Sequence, residues 1–236
     1  MIYIRGDTHG DPGEFTPEVM PGEDRWTKDD ILLITGDFGF LLRDGEKHPR
    51  EREKLDTLAR KPYTIAFVDG NHEGFPFLNA CPTEVRWGAP VKRLRHNVFW
   101  LRRGYIYTIA GIRFFVMGGA YSPDKAFRLK YAHISGEAIW FPEELPCPEE
   151  YHRAIASLEA AGKKVDYILT HTAPRSIIPR LIHAMPDPHD AELTGFLDWV
   201  CHEVEFRGWY FGHFHEDLRL DDRLVAVFRQ VHCLKA

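Results

Sequence analysis

Five short apolar runs in this chain end on side chains able to bind a metal ion. Ile2-Tyr3-Ile4-Arg5 runs into Gly6-Asp7-Thr8-His9-Gly10, and Ile31-Leu32-Leu33-Ile34-Thr35 into Gly36-Asp37. Thr64-Ile65-Ala66-Phe67-Val68 runs into Asp69-Gly70-Asn71-His72-Glu73. Tyr167-Ile168-Leu169-Thr170 stops at His171, and Trp209-Tyr210-Phe211 runs into Gly212-His213-Phe214-His215. Such a run followed by glycine reads as a buried strand leaving its sheet through a sharp turn. In open α/β sheets the carboxyl edge is where sites assemble. One such exit is commonplace. Five of them carry carboxylate, imidazole and amide donors to one edge, and predict a metal site with Asp37 at its middle.

The segments between the exits must position them. Residues 11–30 form a polar connection bearing Pro and Gly. Residues 50–60 place Leu55, Leu58 and Ala59 at helical spacing on a charged segment, and a short helix is expected near residues 75–79. From 84 to 117 the runs are short: Val98-Phe99-Trp100-Leu101, Tyr105-Ile106-Tyr107-Thr108-Ile109 and Ile112-Arg113-Phe114-Phe115-Val116-Met117, with a turn at Ala110-Gly111. These predict antiparallel strands of a second sheet. Residues 122–131 predict a short helix with Ser122 as cap and Pro123 at its first position. Residues 140–148 form a Pro- and aromatic-rich loop. Residues 148–161, with Tyr151, Ile155 and Leu158 on one side, and 191–204, with Leu193, Phe196, Leu197 and Val200, predict two clear helices. Residues 218–231 read as a closing hairpin. Two facing sheets with helices outside fit this order, as one domain over residues 1–236.

Composition narrows the setting. With 236 residues, 44% hydrophobic and 28% charged, the chain suits an ordinary globular core. A net charge of −5 offers no general attraction to nucleic acid or to an anionic membrane. No apolar run approaches the ~20 residues of a membrane span. The first strand starts at Ile2, so no signal peptide is expected. Cys81, Cys147, Cys201 and Cys233 lack Cys-x-x-Cys spacing, and a cytoplasmic protein with reduced thiols is expected. The basic group Lys92, Arg93, Arg95, Arg102 and Arg103 reads as a solvated strand face rather than a nucleic-acid track. His48, His96, His133, His183 and His202 read as surface or structural residues.

Taken in order, Gly6-Asp7-Thr8-His9-Gly10, Gly36-Asp37, Gly70-Asn71-His72-Glu73, Thr170-His171 and Gly212-His213-Phe214-His215 resemble the five signature blocks of the calcineurin-like metallophosphoesterases. The resemblance spans most of the chain. It implies the α/β class, as a four-layer α/β/β/α sandwich of two mixed sheets flanked by helices. It also implies two divalent ions: one held by Asp7, His9, Asp37 and His215, the other by Asp37, Asn71, His171 and His213, with Asp37 bridging. Imidazole and carboxylate donors suit Mn first, or Fe, Zn or Ni, rather than Ca. Two such ions would lower the pKa of a shared water for attack on phosphorus. They would also leave the pocket positive inside an acidic chain. By the same resemblance His72 is the general acid, and Asn71 borders the substrate as well as the metal.

Phosphoprotein phosphatases of this superfamily follow the second block with an Asp-Arg pair, where this chain has Phe40 and Leu41. A phosphate-binding cation must then come from elsewhere. Arg128, after Gly118-Gly119, is the candidate, because a guanidinium can grip two phosphate oxygens. The 140–148 loop would cover the mouth. The expected function is metal-dependent hydrolysis of a small or extended phosphoester. The alternative is a nuclease or cyclic-nucleotide phosphodiesterase using the same site. A catalytically silent scaffold fits least, since all seven ligand positions and His72 are present.

Overall fold

The computed structural model describes residues 1–43, 48–182 and 184–234. Two sheets stand face to face. The first runs in the order β13 (His232–Leu234), β1 (Ile2–Arg5), β2 (Ile31–Ile34), β3 (Thr64–Phe67), β6 (Val98–Leu101), β5 (Ala89–Arg95) and β4 (Thr83–Arg86). The second runs β11 (Leu218–Arg219), β12 (Leu224–Ala226), β10 (Gly208–Phe211), β9 (Tyr167–Thr170), β8 (Ile112–Met117) and β7 (Ile106–Ile109). Among the described residues the α-helices are α1 (Pro49–Ala59), α2 (Phe75–Ala80), α3 (Lys125–Ser135), α4 (Pro148–Ala160) and α5 (Ala191–Glu203). Both sheets are mixed, with parallel centres and antiparallel edges.

Three apolar layers follow from the period-two geometry of strands. Leu33, Ala66, Phe99 and Val116 point between the sheets. Leu32, Ile34, Ile65 and Phe67 point outward to Leu55 and Leu58 of α1 and Leu78 of α2. Ile168 and Trp209 point the other way, to Leu158 of α4 and Leu197 and Val200 of α5. This is the four-layer α/β/β/α sandwich. No described helix is long and apolar enough to cross a membrane.

Some details depart from the expectations. Val98–Leu101 joins the first sheet, parallel to β3 in the register Ala66↔Phe99, rather than the second. All four of its residues are buried, as a strand covered on both faces requires. β8 is antiparallel only to β7 and runs parallel to β9. The helix expected over 122–131 begins later, at Lys125, with Asp124 before it; Ser122 is fully buried and serves the site instead. The closing hairpin of β11 and β12 is followed by β13, which crosses to pair with β1 of the other sheet. Arg103 lies on no solvated face. It is 3% exposed and bonds Asp69, Glu150 and the carbonyl of Glu143. His183 lies outside the described residues.

Candidate metal centre

The parallel strands β1, β2, β3, β9 and β10 bring all five exits to one edge of the sandwich. Backbone bonds lock the loops together: Thr8 and His9 donate their N–H groups to the carbonyl of Asp37, at 3.0 and 2.8 Å. His171 Nδ1 meets the carbonyl oxygen of Thr35 at 2.8 Å, and the His213 amide donates to Asp7 Oδ1 at 3.2 Å, so the two sheets are tied at the site itself.

The glycines of the motifs have a steric explanation here. A Cβ on Gly36, whose φ is +99°, would lie 2.1 Å from His171 Nδ1. One on Gly70 would lie 2.1 Å from Asp37 Oδ1. Side chains of the site occupy the space a larger residue would need. Backbone strain gathers at the same place. His9, Asp37, His213 and His215 all have φ between 46 and 67°, in the left-handed region. Such positions cost about 1–3 kcal/mol each and persist where the surroundings fix them, typically at functional sites.

All seven predicted ligand positions come together. Asp7, His9 and His215 form one set whose donor atoms lie within 4.8 Å of one another; Asp7, Asp37 and His171 form a second. His215 Nε2 is 3.1 Å from Asp7 Oδ2 and 2.9 Å from His9 Nε2. Asn71 Oδ1 faces His171 Nε2 and His213 Nδ1, each at 3.1 Å, and His171 Nε2 is 3.2 Å from Asp37 Oδ1. Asp7 is 2% exposed, and its Oδ2 accepts no well-formed hydrogen bond. A buried carboxylate oxygen whose near neighbours are imidazole nitrogens and a second carboxylate fits a divalent cation.

The electrostatics agree. Burial opposes charge on Asp37, yet His171, His72 and His9 around it hold its carboxyl well below the usual range. Burial also opposes charge on His171, but Asp37 pushes it up to about 9. A proton there supplies the positive charge a cation would bring. Burial lowers His213 to about 4, leaving its nitrogens as neutral donors.

His72 lies beside the cluster, with Nε2 3.8 Å from Asp37 Oδ2. With His9 and Asp37 it forms a third set within 4.8 Å, so its position suits a ligand as well as a proton donor. Its backbone N–H donates to Asp37 Oδ1 at 2.8 Å. Arg128 reaches the site too. Its Nε pairs with Asp124 at 2.8 Å, Nη1 donates to the Asn71 carbonyl at 2.8 Å, and Nη2 meets His72 Nε2. At 2% exposure, with every nitrogen engaged, Arg128 holds His72 and presents no open fork to solvent.

Supporting residues were not foreseen. Glu73, 1% exposed, accepts from the amides of Phe38 and Gly39 at 2.7 and 3.2 Å and so shapes the loop carrying Asp37. Phe40 and Leu41 are core residues beside it. Asn71 Nδ2 donates to Ser122 Oγ at 3.3 Å, and Ser122 Oγ in turn bonds Glu144 Oε2. Glu73 stands within a recognised block and could have been suspected. Glu144 carries no local signal, because its link to Ser122 spans 22 residues.

A family model described as calcineurin-like phosphoesterase matches residues 1–217. The chain belongs to that family. No curated protein matches it. Among solved structures, a Staphylococcus aureus protein described as a 5'-nucleotidase, crystallised with alpha-ketoglutarate, is 15% identical, with a TM-score of 0.49. The alignment covers 98% of this chain and 49% of that one, so this chain spans about half its length.

Proposed function

We propose that the chain hydrolyses a small or extended phosphoester at a two-ion centre, with Mn²⁺ the favoured metal. The convergence of Asp7, His9, Asp37, Asn71, His171, His213 and His215 at one edge of the two sheets carries this reading. Asp37 has His9 Nδ1 at 3.8 Å and His171 Nε2 at 3.2 Å, one donor from each group, which supports a bridging role. When bound, two divalent cations would acidify water and take up charge on phosphate oxygens.

The chain's own residues have distinct tasks. Asp7, His9 and His215 serve one ion, and Asn71, His171 and His213 the other. Asn71 also borders the phosphoryl group. His72, whose side chain is 32% exposed, faces incoming substrate and is assigned proton transfer to the leaving oxygen. Burial lowers its pKa to about 4; Asp37 works against that fall and Arg128 adds to it. An anionic substrate would favour the protonated imidazole. Arg128 sets the orientation of His72 and adds positive field. Direct binding of phosphate by Arg128 would require it to exchange its bond to His72 or to the Asn71 carbonyl.

The test is hydrolysis of matched phosphomonoesters and phosphodiesters by protein stripped with a chelator and then reloaded with Mn²⁺. Stripping should abolish turnover and Mn²⁺ should restore it. Full activity in rigorously stripped protein contradicts the reading. Preference for diesters would favour the nuclease or cyclic-nucleotide alternative.

A further inference from the structure

Beside the candidate centre lies a cavity of about 320 Å³, and His213 forms part of its wall. Thr172, next to His171, and Tyr121, next to Ser122, also line it, so cavity and centre share a border. Ile178 and Phe214 supply apolar surface. The Tyr121 ring is fixed by stacking on His189, with centroids 4.5 Å apart and planes 11° apart.

Among the described residues, two buried polar atoms in this lining have no hydrogen-bond partner. Asp190 is 5% exposed and its Oδ1 accepts no hydrogen bond. Thr172 is 1% exposed and its Oγ1 is likewise unpaired. The other carboxylates of the wall are committed. Asp187 accepts from the His189 amide at 2.8 Å, and Glu216 from the Ile182 amide at 3.1 Å. Burial, reinforced by the nearby charge of Asp187, pushes the Asp190 carboxyl up to about 6, while the backbone amide of Tyr121 pulls the other way.

Leaving a buried carboxylate oxygen unmatched is unfavourable, and a ligand hydroxyl would remove that cost. A phosphate dianion does not suit a wall of three carboxylates; the cationic centre next door does suit it. A phosphoester would therefore sit astride the border, with phosphorus at the centre and its alcohol portion in the cavity. That portion must donate to Asp190 and exchange a hydrogen bond with Thr172, while resting C–H surface on Ile178 and Phe214. A sugar ring offers both kinds of surface. The volume lies at the small end of ligand pockets.

We propose that this cavity holds the polyhydroxylated alcohol of a phosphoester, with Asp190 and Thr172 recognising its hydroxyl groups. The proposal rests on the phosphoesterase reading above and names its substrate class.

The test compares ribose 5-phosphate with n-pentyl phosphate, both monoesters of primary alcohols, on Mn²⁺-loaded parent, Asp190→Asn and Thr172→Val. The parent should prefer the sugar ester by roughly tenfold or more in kcat/KM, the size expected of one hydrogen bond to a charged group. Asp190→Asn should remove most of that preference through KM. Thr172→Val, a near-isosteric change, should remove part of it. Adenosine 5'-monophosphate in the same series distinguishes a free sugar phosphate from a nucleotide as the source of the hydroxyls. No preference in the parent, or the same preference in both variants, overturns the proposal. If the parent hydrolyses neither monoester, the monoesterase reading fails separately. Calorimetric binding of the same two esters then decides: tighter binding of ribose 5-phosphate, lost in the variants, supports the cavity's role, and equal binding overturns it.

Discussion

Removing the Ser122 hydroxyl should weaken metal binding without destroying catalysis. Asn71 can serve a cation only through Oδ1, because its other terminus is an NH₂ group with no lone pair to give. Rotating the amide by half a turn would aim that NH₂ at His171 and His213, where Oδ1 now stands 3.1 Å from each. The 3.3 Å bond from Nδ2 to Ser122 opposes this rotation, and Glu144 fixes Ser122 through its hydroxyl and its amide. Losing the Asn71 bond costs the oriented amide about 0.5–1.5 kcal/mol. The upper part of that range corresponds to roughly tenfold in affinity, at the lower end for loss of a partner that orients a metal ligand. Calorimetric titration of Mn²⁺ into stripped Ser122→Ala should therefore give roughly tenfold weaker binding, while kcat at saturating Mn²⁺ stays close to the parent's. Ser122→Thr should restore affinity. Parental affinity in Ser122→Ala would refute the argument that this hydroxyl orients Asn71.

Two further outcomes are expected. Replacing His72 with Ala should leave metal content intact but lower turnover roughly 10²–10⁴-fold on alkyl esters, and less on nitrophenyl esters, whose leaving group needs little protonation; an emptied site would make His72 a ligand. Because Asp37 lifts His171 to about 9, a metal ion must displace a proton there at neutral pH, so Mn²⁺ affinity should rise with pH and level off near 9. Calorimetry in buffers of different ionisation enthalpy should register about one proton released at pH 7.5. Binding without proton release would remove His171 from the site or its proton from His171.

The architecture and the candidate cluster were legible because both rest on local patterns. Buried strands are written as continuous apolar runs, and the side chain following each run falls at the sheet edge without further information. What could not be read depends on tertiary pairing. Val98–Leu101 has no residue that states its sheet; its place beside β3 is settled by burial on both faces. Ser122 and Pro123 look like a helix start, yet the demand of Asn71 and Glu144 for a partner overrides that local preference. Arg103 reads in sequence like Lys92, Arg93, Arg95 and Arg102, and only Asp69 and Glu150, brought in from other elements, set it apart as buried. Arg128 carries no local signal of its partners, because its engagement with Asp124 and His72 depends on how α3 docks.

Diffraction from crystals loaded with Mn²⁺, recorded near the manganese absorption edge, addresses the two-ion centre directly. The expected result is two anomalous peaks about 3.5–4 Å apart, the usual spacing in two-metal sites. Both should contact the carboxylate of Asp37, one facing Asp7, His9 and His215 and the other facing Asn71, His171 and His213. A single peak, or a pair that Asp37 does not bridge, would contradict the account.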